Sequence, residues 1–150
     1  MTDQQKKKLV SIAETVLGKP YHYGAKPEEA PETFDCSSFT QYLFKQIGIE
    51  LPRSTILQAG DPQGREIVPE QNFENLEIGD LLFMRGARGY YNDVLFPSRA
   101  VYIGHVGVYV GNGELFHASS ANGGVVKQKL SEVTRKPHYG VALVKRFQAD

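Results

Sequence analysis

The stretch "HVGVYVGNGELFHAS", residues 105–119, decides the fold class because it has the pattern of an antiparallel hairpin. Apolar and small or polar residues alternate before "GNG", residues 111–113, and a second short apolar run follows it, which is typical of two strands joined by a tight turn. One predicted face of the first strand carries Val106, Val108 and Val110, which we expect in the core. The other face carries His105, Gly107 and Tyr109.

The length of the turn determines whether the two histidines of this hairpin meet. In a three-residue loop Val110 faces Glu114, and His105 faces Ser119. His117 is then the diagonal neighbour of His105 on the same sheet face, with Cβ atoms roughly 7–8 Å apart. A two-residue Asn-Gly turn shifts the register by one and places the histidines on opposite faces. We therefore expect an odd-length loop or a bulge.

Helical patterns precede the hairpin, and further strands lie around it. Helices are predicted over residues 4–17, from Cys36 to about Gly48, and within "LPRSTILQAG", residues 51–60. Strands are predicted at 80–84, 105–110, 114–119 and 141–147, whereas 61–75 is polar and turn-rich. Helices first and antiparallel strands second favour an α+β domain, residues 1–150, with N-terminal helices packed on a sheet of about five or six strands.

Composition excludes several classes of protein. The chain has 150 residues, with 17 basic and 17 acidic side chains, so it has no broad electrostatic footprint for nucleic acid or an anionic membrane. It has no apolar run long enough to cross a bilayer and no recognisable signal peptide, so we expect a cytoplasmic protein and a monomer. Export by another route, to a secreted or cell-wall location, is the alternative. A single cysteine cannot form an internal disulfide.

That cysteine, Cys36, starts the helical pattern in "FDCSSFTQYLF", residues 34–44. It can be a buried hydrophobe, a metal ligand or a nucleophile. A helix N-terminus and a neighbouring imidazolium both lower a thiol pKa. We expect the cysteine helix to approach the sheet at Gly107, which places Cys36 beside His105 with His117 behind it. Nucleophile, base and orienting residue are the parts of a covalent hydrolase.

Three motifs in order, "PYHYGAKP" with "FDCSSFTQYLF", then "LPRSTILQ", then "IGHVGVYVGNGELFHAS", resemble the NlpC family of papain-like cell-wall cysteine peptidases. The resemblance extends from about Gly18 to Ser119. It implies a papain-like fold in which Cys36 attacks an amide, His105 is the base and His117 orients it. It also implies peptidoglycan stem peptides as substrates, commonly cleaved between γ-D-glutamate and the diamino acid, and no metal or cofactor.

The resemblance implies further roles around the cysteine. Tyr21 and the Cys36 backbone N–H match the oxyanion hole, and Asp35, besides capping the helix, matches an acid that binds a free N-terminal amine. Ser37, together with Thr55 or Ser54, matches substrate-contacting positions, and the same motif contains Arg53 and Gln58.

The chain also departs from the family pattern. The loop from Tyr21 to Asp35 is long and carries three glutamates, and Ser38 stands where glycine is common. The segment from Arg85 to Ile103 is an insertion relative to the family pattern. It can be a lid that binds substrate carboxylates or a solvated loop, and the sequence does not decide between these two interpretations.

Three alternatives use the same residues differently. Cys36, His105 and His117 can be zinc ligands, although they lack the close spacing of most zinc motifs. The domain can be a wall-binding module without activity, or a papain-like amidase or acyltransferase that acts on another amide or on a lipid. The order Cys, His, His along the chain favours the peptidase, and the absence of a signal peptide favours recycling of released peptides.

Overall fold

The computed structural model describes residues 1–86, 90–91, 94–135 and 140–148. In this part of the chain the α-helices are α1 (Asp3–Thr15), α2 (Cys36–Lys45), α3 (Thr55–Ala59) and α4 (Leu130–Val133). The strands are β1 (Gly64–Ile67), β2 (Leu81–Met84), β3 (Tyr90–Tyr91), β4 (Tyr102–Ile103), β5 (His105–Gly111), β6 (Glu114–Ser119), β7 (Gly124–Lys129) and β8 (Val141–Phe147). Two short 3-10 helices lie at Pro27–Glu29 and Gln71–Phe73.

Six strands form one antiparallel sheet in the order β1-β8-β2-β5-β6-β7, and helix α2 packs against β5 and β6. The predicted α+β class is confirmed, as are the three helices and four strands expected from the sequence. Strand β1 lies in the segment predicted to be turn-rich, so that prediction was wrong. Both β1 and β7 are edge strands with several exposed side chains, which is why their apolar pattern is weak.

The hairpin combines a two-residue turn with a bulge. Asn112 and Gly113 both have positive φ, as in the tight turns that suit a twisted hairpin, and Gly111 pairs with Glu114. The next pair is Tyr109 with Leu115, so Val110 is an extra residue on β5. The bulge gives the strands the same register as a three-residue loop would. The prediction of an odd-length loop or a bulge is therefore confirmed, with the bulge as the observed alternative.

Apolar side chains cover both faces of the sheet. The helix-side cluster joins α1 and α2 to Val106, Val108 and Phe116, while Tyr109 and Leu115 belong to the cluster on the opposite face. Gly107 lies on that opposite face, because a Cβ there would come within 2.4 Å of the Leu115 Cδ1 atom. The expected approach of α2 to Gly107 was therefore wrong, and the glycine makes room for β6.

The described part of the insertion is anchored to the domain. Phe96 and Val101 are buried in the helix-side cluster, and β3 pairs with β4. The Arg99 guanidinium forms two hydrogen bonds with the Glu66 carboxylate, at 2.9 and 3.0 Å. The segment is thus anchored at Phe96 and Val101, while most of residues 94–100 are exposed, and Arg99 already has a carboxylate partner. Arg88 and the side chains of the β3 tyrosines lie outside the described residues.

Within the described ranges, the helices are all too short or too polar to cross a membrane.

Candidate active site

The first turn of α2 is fixed by a reciprocal cap. The Asp35 Oδ1 atom accepts from the Ser38 backbone N–H at 2.8 Å, and the Asp35 N–H donates to the Ser38 Oγ atom at 2.9 Å. Asp35 is thus the predicted N-cap, and Ser38 completes the capping box in a way that the more common glycine cannot. This cap holds Cys36 at the first helical position.

Cys36 is 8% exposed, and its sulfur lies 3.5 Å from the Thr55 hydroxyl oxygen. Burial raises the pKa of the thiol, and the charge of Asp35 adds to that effect. Hydrogen bonds from Thr55 and from the backbone N–H groups of Val106 and Ser37 act in the opposite direction but do not outweigh burial. Burial thus outweighs the lowering of the thiol pKa that a helix N-terminus favours. The contact with Val106 places the sulfur next to the start of β5.

The two hairpin histidines meet as the sequence predicted. The Nε2 atom of His105 lies 2.7 Å from the Nδ1 atom of His117, and both side chains are buried. The Nε2 atom of His117 lies 2.6 Å from the Gln128 Oε1 atom. The sequence analysis missed Gln128 because it lies on β7, which was not predicted.

Both imidazoles are neutral near pH 7. Burial lowers the pKa of His105 to about 3, and the adjacent His117 adds to that shift. Burial also lowers the pKa of His117, whereas its hydrogen bond with Gln128 favours the charged form. The free site therefore holds a protonated thiol and two uncharged rings.

Arg53 links the cap to the loop before it. Its guanidinium donates to Asp35 Oδ2 at 2.6 Å, to Ser37 Oγ at 2.8 Å and to the Ala25 carbonyl. Asp35 Oδ2 also accepts from the Gly24 N–H at 3.2 Å. A carboxylate has about four lone-pair sites, so the Asp35 carboxylate is already well supplied with donors.

Other residues of the predicted site have separate positions. Tyr21 lines a cleft of about 380 Å³ together with His105 and His117. The Ser54 hydroxyl caps α3 by accepting from the Leu57 N–H at 3.3 Å, whereas Thr55 points to Cys36. Of the two hydroxyls, only Thr55 thus has a contact with the cysteine among the described contacts.

Gln58, from the same motif as Arg53, is fully buried and ties α3 to α2. Its amide donates to the carbonyls of Ser37 and Pro52 at 3.0 and 2.8 Å and accepts from the Thr40 hydroxyl at 2.7 Å. Its contacts are those of a structural residue that fixes the backbone next to Cys36.

Two glutamates of the long loop between Tyr21 and Asp35 form hydrogen bonds and ion pairs with neighbouring residues. Glu29 accepts from the Lys26 N–H and Thr33 hydroxyl and lies 2.6 Å from the exposed His22, and these contacts lower its pKa to about 2. Glu32 pairs with Lys19 at 3.3 Å.

In the described parts of the chain, no three His, Cys, Asp or Glu side chains are grouped to hold a metal ion. The facing nitrogens of His105 and His117 are hydrogen-bonded to each other, which uses the lone pair that a metal would need. The geometry gives no support to the zinc alternative.

Comparisons with known proteins agree with this architecture. Residues 18–144 match the NlpC/P60 family. The chain is 34% identical over 110 residues to the probable endopeptidase p60 of Listeria seeligeri, covering 73% of this chain and 17% of that protein. It is also 34% identical over 127 residues to the murein DD-endopeptidase MepS/murein LD-carboxypeptidase of Escherichia coli, covering 83% of this chain and 55% of that protein.

Among solved structures, an NlpC/P60 family protein from Bacillus cereus superposes with a TM-score of 0.73 at 26% identity, covering 96% of this chain and 40% of that one. The chain thus spans from about a sixth to about half of the length of these relatives.

Proposed function

The chain belongs to the NlpC/P60 family of peptidoglycan hydrolases and endopeptidases, and from that premise we propose that it is a cysteine peptidase. Its proposed substrate is a peptidoglycan stem peptide, cut at the amide between γ-D-glutamate and the diamino acid. The observation that carries the proposal is the position of Cys36, capped at a helix start with its sulfur against the strand that begins with the hydrogen-bonded His105–His117 pair.

The neutral state of the site favours general-base activation of the thiol. His105 takes the Cys36 proton as the sulfur bonds to the amide carbon. The tetrahedral intermediate then collapses, and the protonated His105 gives its proton to the leaving amine. Water then attacks the acyl carbon while His105 accepts one of its protons. The C–S bond breaks, His105 returns that proton to the Cys36 sulfur, and the product leaves as a carboxylic acid that ionises in solution.

Tyr21 and the Cys36 backbone N–H supply the proposed oxyanion hole. Tyr21 lines the same cleft as both histidines, and the Cys36 N–H, at the first helical position, has no acceptor within the helix itself. Each donor of such a hole contributes about 3–4 kcal/mol to the transition state in comparable enzymes.

Substrate recognition is proposed for Asp35, Ser37, Ser54 and Thr55. The contacts of Asp35 set a condition on its role: an incoming ammonium group has to share the carboxylate with Arg53 and the Gly24 N–H. Direct binding of a free N-terminus by Asp35 is therefore a proposal that needs its own experiment.

That experiment is mass spectrometry of L-Ala-γ-D-Glu-meso-diaminopimelate peptides, free and N-acylated, incubated with the wild type and with Cys36→Ala. We expect the wild type alone to cleave the γ-D-glutamyl bond. Cleavage of the free peptide only supports Asp35 as the amine site and a role in recycling of released peptides, and cleavage of both forms contradicts these two points.

Failure to cleave either peptide contradicts the proposed bond. The same samples are then offered other amides and lipid acyl donors, because turnover of those by the wild type but not by Cys36→Ala would indicate the amidase or acyltransferase alternative.

A further inference from the structure

The cleft of about 380 Å³ beside the two histidines contains one acidic side chain, Glu132, in the part of its lining that the structure describes. We propose that this cleft receives the leaving half of the substrate and that Glu132 favours a leaving residue with a side-chain ammonium group. The inference rests on the proposed function, because it assigns a substrate preference to the same site.

The first step places the two halves of the substrate. The Cys36 sulfur contacts Thr55 and Asp35 caps its helix, and these three residues are not among the described residues that line the cleft. His105 and His117 do line it. In the proposed mechanism the imidazole of His105 takes the thiol proton and gives it to the leaving amine, so the leaving half lies on the histidine side of the sulfur. The cleft opens on that side.

The second step is the charge of the cleft. Besides Glu132, its described lining consists of the two histidines, tyrosines, glycines, one valine and small or amide side chains, such as Ser119 and Asn122. Both histidines are uncharged near neutral pH, because burial lowers the pKa of each ring. The described lining therefore has one unbalanced negative charge, which attracts a cation and repels a carboxylate.

The third step is the way in which Glu132 is held. Its neighbours on α4, Leu130 and Val133, are buried. The Leu130 N–H donates to the Gly113 carbonyl at 2.8 Å, and the Thr134 hydroxyl donates to the Leu130 carbonyl at 2.9 Å. The backbone at Glu132 is thus fixed, whereas its side chain is exposed.

The fourth step compares the two acidic residues of the site. The Asp35 carboxylate already accepts from Arg53, the Gly24 N–H and the Ser38 N–H. The Glu132 carboxylate has no hydrogen-bond or ion-pair partner among the residues that the structure describes. It therefore keeps its acceptor capacity for a substrate donor, and the second amino group of a diamino acid is such a donor.

The experiment compares binding of two peptides, L-Ala-γ-D-Glu-L-Lys and the same peptide with an acetylated lysine side chain, which has lost the positive charge. The protein is the Cys36→Ala variant, so that binding is measured without cleavage, by isothermal titration calorimetry. We expect the free amine to bind about two- to fivefold more tightly, the range of an exposed ion pair.

Two further variants in the Cys36→Ala background separate Glu132 from general effects of charge. Glu132→Gln should bind both peptides equally. Glu50→Gln removes the same charge from an exposed residue outside the described lining of the cleft, and it should keep the preference of the parent. The preference should also weaken between roughly 0.05 and 0.5 M salt, because exposed charges are screened.

Equal affinity for the two peptides, no binding of either, or a preference that persists in Glu132→Gln overturns the inference. Failure of the proposed function gives a different result. In that case the free amine still binds more tightly and the preference still depends on Glu132, while protein with an intact Cys36 does not cleave the peptide.

Where the peptide is cleaved, kcat/KM gives a second readout in protein with an intact Cys36. We expect the same two- to fivefold preference for the free amine in the wild type and in Glu50→Gln, and its loss in Glu132→Gln. A kcat/KM ratio that is equal in the wild type and Glu132→Gln contradicts the assignment.

Discussion

Cys36 has three hydrogen-bond donors near its sulfur and is the first residue of a helix, yet its thiol pKa lies above its ordinary value. Burial disfavours the thiolate more than these contacts favour it. The proposed nucleophile is therefore a thiol that would be deprotonated during the reaction, and among side chains the Thr55 hydroxyl lowers its pKa most.

Thr55→Val should make Cys36 less reactive. Removing the hydroxyl takes away a hydrogen bond that favours the thiolate, so the thiol pKa rises further. At pH 8, where most of the thiol is protonated, alkylation by iodoacetamide should slow about two- to tenfold, which corresponds to a hydrogen bond of about 0.5–1.5 kcal/mol. Thr55→Ser keeps the hydroxyl and is the matched control. Equal slowing in both variants would show that packing, and not the hydroxyl, is responsible.

The acid limb of the kcat/KM profile should lie well below the unperturbed histidine pKa of about 6.5. As the proposed base, His105 is active only when unprotonated, and its pKa is lowered to about 3, so we expect activity to be retained as the pH falls through 6.5. Steady-state kinetics between pH 4 and 8 check this, with the ionisation of the peptide titrated separately. An acid limb near pH 6.5 would mean that His105 is accessible to water in the free enzyme.

Most residues of the candidate site could be named from the sequence because each stands at a recognisable place. Asp35 precedes a helical pattern, and His105 and His117 lie on one face of a hairpin. The ionisation state could not be predicted in the same way, since it depends on how far packing excludes water from Cys36. Gln128 was missed because its only local signal is a weak strand at the edge of the sheet.

At the scale of elements, the β5–β6 hairpin positions the two imidazoles, and its register depends on the bulge at Val110. Gly111 follows the bulge with a φ of 92°, which a residue with a Cβ rarely adopts. The glycine therefore stabilises the bulged form over a regular hairpin, in which the histidines would lie on opposite faces.

Gly111→Val should destabilise the protein by about 1–2 kcal/mol, because a β-branched residue is strained at positive φ. It should also lower activity beyond the effect on stability, as the regular register becomes populated. Thermal unfolding and kcat measured below the transition check the two effects. Gly140→Ala is the control and should have little effect on either, because among the described residues no atom outside its chain neighbours lies within 4 Å of the added Cβ.

The sequence predicted the elements that carry a strong apolar pattern and missed the others. Strands β2, β5, β6 and β8 occupy the middle of the sheet and have a buried run of side chains. The sequence analysis wrongly expected α2 to pack on the face of β5 that carries Gly107. Alternation distinguishes the two faces of a strand but does not indicate which of them a helix covers.

At the scale of the whole molecule, two apolar clusters enclose the sheet, and the uncharged histidines are buried within it. Both histidines have pKa values below those of the unfolded chain. The unfolded state thus binds more protons than the native state below pH 6.5, and the free energy of unfolding falls as the pH decreases toward the native pKa values.

Urea unfolding at pH 7, 6 and 5 should show this loss, which is at most about 1.4 kcal/mol per pH unit for each histidine. His117→Gln removes one of the two groups, so its stability should depend less steeply on pH in this range. The same slope in the variant and the wild type would indicate that other groups, such as carboxylates, cause the acid sensitivity.

The bulge also determines which changes of length the domain tolerates. Before Val110 in the chain, Tyr109 pairs with Leu115. A regular hairpin would have the same pairing if β5 were one residue shorter. A homologue or variant that lacks Val110 therefore keeps His105 and His117 on the same face. Loss of a residue between His105 and Tyr109 instead turns one imidazole away from the other, so an alignment gap inside β5 distinguishes relatives that keep the histidine pair from those that lose it.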